Sequence, residues 1–274
     1  MLGRIARRQM TPITAANMNY DALGAGYRRT RVPDLRIARR IHAALGDARS
    51  VVNVGAGTGA YEPRHLEVVA VEPAAAMIAA RPPGSAPAVT ACAESLPFPA
   101  VSFDAALGVL TLHHWRDLDA GLAEMRRVAR KRVVLLTWDP EFDDALWLTV
   151  HYVPRIRERD RINFPTLRRL AAALGELSVA SVPIPHDCSD GFLGAWWRRP
   201  EAYLDPEVRA GISSFSRVTP DETAALVKRL RRDLETGEWD RRFGRLRSLP
   251  ELDLGYRLVV AEMRGDAPKR ISVS

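Results

Sequence analysis

Long apolar runs are missing. No window of the 274-residue chain approaches the roughly 18 consecutive apolar residues that a membrane-spanning helix needs, so no membrane association is expected. The basic start, MLGRIARRQM, is not followed by an apolar stretch, so a secretory leader is not expected either. Cysteine is scarce: Cys92 and Cys188 stand far apart and outside any metal-ligand spacing, which argues against a disulfide framework, a zinc site or any other bound metal. A reducing, cytoplasmic setting fits. Lysine is nearly absent. Only Lys131, Lys228 and Lys269 occur among 40 basic residues, so the formal charge of +7 is carried by arginine. These Arg residues are scattered along helical stretches such as 124–132 and 226–232 and form no block interleaved with aromatics. Such a bias reflects codon composition better than a phosphate-binding face, and nucleic acid is not expected as a partner.

What is present is an ordinary hydrophobic fraction of 47%, enough for one large domain or a core domain with an insertion. Residues 1–33 read as an arm or lid. Asp34 after Pro33 is a helix cap, Ile37, Ala38, Ile41 and Leu45 recur at helical spacing, and Gly46 suits the exit. "SVVNVG" is a strand, the glycine loop after it opens a helix, and "LEVVAVEP" is a second strand ending in Glu72. "AAAMIAA" reads as a helix, "AVTACA" as a short strand and "FDAALGVLTL" as a buried one. Leu118, Leu122, Met125 and Val128 mark the next helix, and "KRVVLLTW" the fifth strand. This alternation over 34–139 predicts βαβ units in a doubly wound, Rossmann-like, mostly parallel sheet.

Beyond it, "TLRRLAAALGE" is a helix, "LSVASVPIP" a sixth strand and "LDLGYRLVVAEM" a long, antiparallel seventh. The expected division is an arm at 1–33, a core at 34–139 and 166–187, a cap segment at 140–165 and a helical cap insertion at 188–250. The final strand and tail occupy 251–274. The cap carries Phe192, Trp196, Trp197, Tyr203, Phe215 and Trp239, and is expected over the carboxyl edge of the sheet.

The stretch "VVNVGAGTGAYE" (51–62) raises the functional question. Gly55, Gly57 and Gly59 let backbone approach a ligand closely, and Glu72 can accept two hydroxyl protons of a ribose. A dinucleotide pyrophosphate and an adenosyl cofactor both fit this pattern, as does a purely structural tight turn.

The chain then reads "CAESLPFPAVSFDAALGVLTLHHW", and here it resembles the class I S-adenosylmethionine-dependent methyltransferases. The branch containing the ubiquinone and menaquinone biosynthesis methyltransferases is the nearest likeness. The glycine loop, the acid ending the second strand, the A-E-x-L-P-F turn at 93–98 and S-F-D through L-H-H at 102–114 stand in that family's order. The resemblance covers about residues 20–140. It implies S-adenosyl-L-methionine as cofactor, S-adenosyl-L-homocysteine as product, and methyl transfer to a small molecule through oxygen, nitrogen or carbon. A non-catalytic binder of the same cofactor is the alternative, and a nicotinamide-dependent oxidoreductase a more distant one.

Carried over by residue, the resemblance places Gly55, Ala56, Gly57 and Gly59 against the methionyl and ribose parts. Glu72 falls on the ribose hydroxyls, with Pro73 and Ala74 beside the adenine. Ala93 and Glu94 fall in the turn that contacts the adenine ring, and Gly108, Val109 and Leu110 beneath the sulfonium. Tyr20, Tyr27 and Arg31 fall in the segment folded over the cofactor, where an Arg can pair with its carboxylate. Asn53 departs from the family's acid but can still accept a hydrogen bond from the cofactor amine. Cys92 departs from an acid that would bind the adenine amino group.

Methyl transfer needs in-line alignment and exclusion of water more than covalent chemistry. A base is needed only if the acceptor loses a proton, and His113 and His114 are candidates, with backbone hydrogen bonding as the other role. Trp115 follows them at the mouth of the substrate cleft. "PHDCSDGF" supplies His186 as a further catalytic candidate and Asp187 and Asp190 as acceptor-binding ones, or is simply a turn. Trp197 in "WWRRP" is either a pocket wall or a core anchor. Acceptor identity and oligomeric state are not written in the sequence.

Overall fold

The computed structural model describes residues 31–143 and 146–263. Helix α1, Leu35–Ala44, starts where Asp34 accepts the backbone N–H of Arg36 and ends before Gly46 at φ 59°. Its Ile37 and Ile41, one turn apart, are buried. Strand β1, Ser50–Val54, then enters a sheet with β2, Glu67–Val71, and β3, Ala88–Val89. Helix α2, Ala75–Ala79, connects the last two. Strand β4, Phe103–Val109, is followed by helix α3, Leu118–Val128, and strand β5, Ala129–Trp138.

Helices α4, Trp147–His151, α5, Pro154–Asn163, and α6, Leu167–Leu174, precede β6, Leu177–Ser181. The short strand β7, Ile184–Pro185, leaves this sheet. A helical stretch containing α7, Pro206–Ala210, α8, Pro220–Glu235, and α9, Glu238–Phe243, ends at β8, Glu251–Leu252, which pairs with β7. Strand β9, Tyr256–Glu262, inserts antiparallel between β5 and β6. The seven-stranded order is β3-β2-β1-β4-β5-β9-β6, with β9 the one strand running against the rest.

Alternation along the central strands fills both faces. Val51, Leu107, Val134 and Leu136 join α1 and the helical insertion in one core. Val52, Val54, Val133 and Leu135 join α3 and α6 in the other. Among the described residues no helix is long and apolar enough to cross a membrane.

The helix expected to open at the glycine loop does not form: residues 55–66 are turns. Three glycines in the left-handed region within five residues, followed by Pro63, prevent a continuous helical backbone. The third strand is shorter than "AVTACA" suggested, and "LSVASVPIP" divides into β6 and β7 around Val182 and Pro183.

Candidate functional site

The chain turns across the carboxyl edge of the sheet at the end of β1. Gly55, Gly57 and Gly59 adopt φ of 69°, 53° and 81°. At Gly55 a Cβ would overlap the hydroxyl of Thr111, so only glycine fits both the torsion and the space. The N–H groups of Gly55 and Ala56 both donate to the carbonyl of Val71, at 2.9 and 3.0 Å, which ties the loop to the end of β2.

Glu72 follows β2 and is buried. One carboxylate oxygen accepts the N–H of Gly57 at 2.8 Å, the other that of Ala74 at 3.0 Å. Burial raises its pKa, and these two amide bonds oppose the rise.

These groups open on a chamber of about 420 Å³. Asn53, Gly55, Ala56 and Gly57 line it from β1 and the loop, and Glu72 and Pro73 from the end of β2. Cys92, Ala93 and Glu94 form another wall, Val109 and Leu110 the floor at the end of β4, and Arg31, His114 and Trp115 the remaining edge. Leu110 takes φ 49°, unusual for a branched side chain, and its N–H is held by the carbonyl of Leu136 at 2.8 Å.

Asn53 is 4% exposed. Its Nδ2 donates to Glu62 at 3.1 Å, and Glu62 is ion-paired with Arg81 at 2.6 Å in a nearly closed setting. Asn53 Oδ1 is buried without a hydrogen-bond partner among the described residues. The amide cannot be turned over, because its oxygen would then face the Glu62 carboxylate.

A second, smaller chamber of about 80 Å³ adjoins the first. Arg31, Leu110 and His114 line both. Trp138, Phe164, Phe192 and Tyr256 supply its rings, and Asp160 and Arg157 its charges. His113 stacks on Phe164 with ring centroids 4.0 Å apart and lies 3.7 Å from the ring of His114. Burial, with Arg217 and Arg31 adding repulsion, pushes the His114 pKa down to about 3. Burial first, then His114, Arg217 and Arg31, hold that of His113 well below the usual range. Both imidazoles are therefore neutral at physiological pH.

Residues 52–137 match a family described as a methyltransferase domain. A crystal structure from Anabaena variabilis, named as a methyltransferase from an antibiotic biosynthesis pathway, is 36% identical to this chain, with a TM-score of 0.79. The likeness covers 85% of this chain and 99% of that one. The chain belongs to the S-adenosylmethionine-dependent methyltransferases. A methyltransferase of Thermotoga maritima, 16% identical and covering 89% of this chain and 94% of its own, shares the fold with a TM-score of 0.51. No curated protein matches.

The cofactor of this methyltransferase is S-adenosylmethionine, and the first chamber fits it. The orphaned Asn53 oxygen is an acceptor waiting for a buried donor such as an ammonium, and Glu72 retains lone pairs beyond its two amide bonds.

Several residues that the methyltransferase sequence singled out sit elsewhere than expected. Gly59 lies behind the loop, where a Cβ would press on Glu62 and Arg81, and does not line the first chamber. Glu94, besides lining the wall, accepts the N–H groups of Arg116 at 2.7 Å and Asp117 at 3.2 Å, pinning the segment that follows L-H-H. His186 lines neither chamber; its N–H is taken by Pro250 where β7 meets β8. Asp187 is exposed and pairs with Arg36 at 2.8 Å. Trp197 is fully buried and donates to Ile184 at 2.9 Å, so it anchors the insertion and is no pocket wall. Tyr20 and Tyr27 lie outside the described residues.

Asp190 is fully buried and reaches neither chamber. It grips Arg31 with two bonds, 2.5 Å to Nε and 3.2 Å to Nη2, and accepts the Tyr61 hydroxyl at 2.8 Å. Its role is to fix Arg31 where the two chambers meet.

Sequence reasoning missed Thr111, Tyr61 and Asp160. Only Asp160 carried a signal: it stands four residues after Ile156 on the inward face of α5, where an apolar residue belongs.

Proposed function

We propose that this methyltransferase transfers a methyl group to a small molecule whose nucleophile enters from the second chamber. The observation that carries the reading is that Arg31, Leu110 and His114 belong to both chambers. The sulfonium of S-adenosylmethionine supplies an electrophilic methyl carbon. Gly55, Gly57 and Glu72 hold the cofactor by backbone proximity and ribose hydrogen bonds, and Asn53 Oδ1 accepts from its amine. Arg31, held by Asp190, pairs with its carboxylate. Leu110 and the neutral imidazole of His114 border the line of approach and exclude water from it. Alignment of this kind is worth up to ~7–11 kcal/mol of barrier in favourable cases.

The segments expected as a cap, 140–165 and 188–250, supply Asp160, Phe164, Phe192 and Gly194 to the second chamber. They act as the acceptor-side cap in this reading; residues 1–30 of the expected arm or lid lie outside the described residues. The turn at 93–98 and L-H-H support kinship with the quinone-biosynthesis branch. The Anabaena relative's pathway supports a specialised metabolite. Both lead to a small-molecule acceptor.

The test is a screen of fractionated metabolite extract with radiolabelled S-adenosylmethionine. Label is expected in a small organic compound. Persistent absence of transfer under conditions where S-adenosylhomocysteine binds would contradict the reading.

A further inference from the structure

Helix α5 is strongly polar, yet Ile156 and Asp160 are its two buried residues. Asp160 is 8% exposed, and no hydrogen bond or ion pair to its carboxylate is found among the described residues. It lines the second chamber beside Tyr256 and Arg157. On its other side Arg155, Arg159 and Arg217 share a narrow cleft with it, none within ion-pairing distance. A buried carboxylate left without a partner is costly and needs an explanation.

We propose that Asp160 is the catalytic base of this methyltransferase, and that the acceptor is a phenol, methylated on oxygen. The inference rests on the two-chamber reading above. Four rings (Trp138, Phe164, Phe192 and Tyr256) give the chamber walls suited to a flat apolar body. Arg31 is engaged by Asp190, and the remaining cation of the chamber, Arg157, disfavours an ammonium acceptor and favours oxygen that gains negative charge. His113 and His114 face the same space but are neutral and poor bases, their protonated forms being opposed by burial and by Arg217 and Arg31. Burial raises the Asp160 carboxyl to about 7, with Arg217 opposing the rise, which matches a base working near neutral pH. In the step, the acceptor O–H bond breaks and its proton goes to an Oδ of Asp160. An oxygen lone pair forms the new carbon–oxygen bond while the carbon–sulfur bond breaks, its electron pair remaining on sulfur. Asp160 then releases the proton to solvent.

The experiment compares wild type, Asp160→Asn and Asp160→Glu. Each is given radiolabelled S-adenosylmethionine with phenol, catechol and 4-hydroxybenzoate, or with benzylamine and phenethylamine. Label is expected in an aryl methyl ether and in neither amine. Asp160→Asn should lower that rate about 10²–10⁴-fold and remove the limb of the pH–rate profile near 7, while Asp160→Glu recovers part of it. S-adenosylhomocysteine affinity should stay within about twofold in both variants.

A second readout needs no acceptor. The raised carboxyl binds its proton more tightly in the folded state, so its contribution to stability is present at pH 4 and is lost as pH rises through 7. The difference in urea stability between wild type and Asp160→Asn should follow that course. Label in an amine, no label in any phenol while S-adenosylhomocysteine binds, or an Asp160→Asn rate equal to wild type would overturn the proposal. Failure of wild type to bind S-adenosylhomocysteine would remove the two-chamber reading and this inference together.

Discussion

Asn53 donates from Nδ2 to Oε1 of Glu62 at 3.1 Å, and Arg81 closes on Glu62 at 2.6 Å. The negative charge beneath the glycine loop is that of Glu62, while position 53 in β1 carries an amide. Arg81 also reaches the carbonyls of Gly57 at 3.3 Å and Ala86 at 3.1 Å, so the pair braces the loop from behind. Asn53→Asp would set two carboxylates against each other, and it is expected to destabilise the fold and weaken S-adenosylhomocysteine binding. Adding Glu62→Gln should relieve part of the loss. A double-mutant cycle in urea should read a coupling of ~0.5–3 kcal/mol, and strict additivity would show the contact to be unimportant.

Asp190 and Arg31 make a different kind of prediction. Asp190→Asn leaves a mostly buried guanidinium with a weaker partner, and Tyr61 with a poorer acceptor. Stability should fall by up to ~3–5 kcal/mol, the range for breaking buried pairs. Cofactor affinity should fall with it, because Arg31 is no longer fixed at the chamber edge. A stable variant with unchanged affinity would take Asp190 out of the account.

Gly55 tests the turn. Gly55→Ala meets both an unfavourable φ of 69° and the Thr111 side chain. Thr111→Gly combined with it removes the collision and leaves the torsion. Circular dichroism melts should rank wild type above the double variant and the double variant above Gly55→Ala. Equal melting of the two variants would mean that torsion alone decides.

The His114 pKa, lowered to about 3, has a sign that can be measured. Between about 6.5 and 3 the unfolded chain binds a proton that the folded imidazole refuses, so stability falls as pH falls through this window. His114→Asn should lose less stability than wild type between pH 6.5 and pH 4, read by urea titration at each pH. Parallel losses would show the ring to be protonated in the fold.

The central sheet was legible because its signals are local. Apolar runs such as 103–109, glycine exits and caps such as Asp34 each report on their own neighbourhood. Asn53 stands out in the sequence as a missing acid and Glu62 as the acid closing the glycine stretch, but their link does not, since it needs Pro63 and the glycines to fold the loop back. "PHDCSDGF" looked like one cluster, yet the chain points Asp187 to solvent and buries Asp190 on Arg31, 159 positions away in sequence. Trp197 was ambiguous because a Trp on a pocket wall and a Trp in a core have the same local sequence. Asp160 lies inside a charged run, and only the inward face of α5 separates it from its neighbours.

The most direct test is isothermal calorimetry of S-adenosylhomocysteine and of NAD with wild type and Glu72→Ala. The account predicts one S-adenosylhomocysteine per chain in the micromolar range, no NAD binding, and a loss of ~1–3 kcal/mol in the variant as charge-assisted ribose bonds disappear. Tight NAD binding without S-adenosylhomocysteine, or unchanged affinity in folded Glu72→Ala, would contradict it.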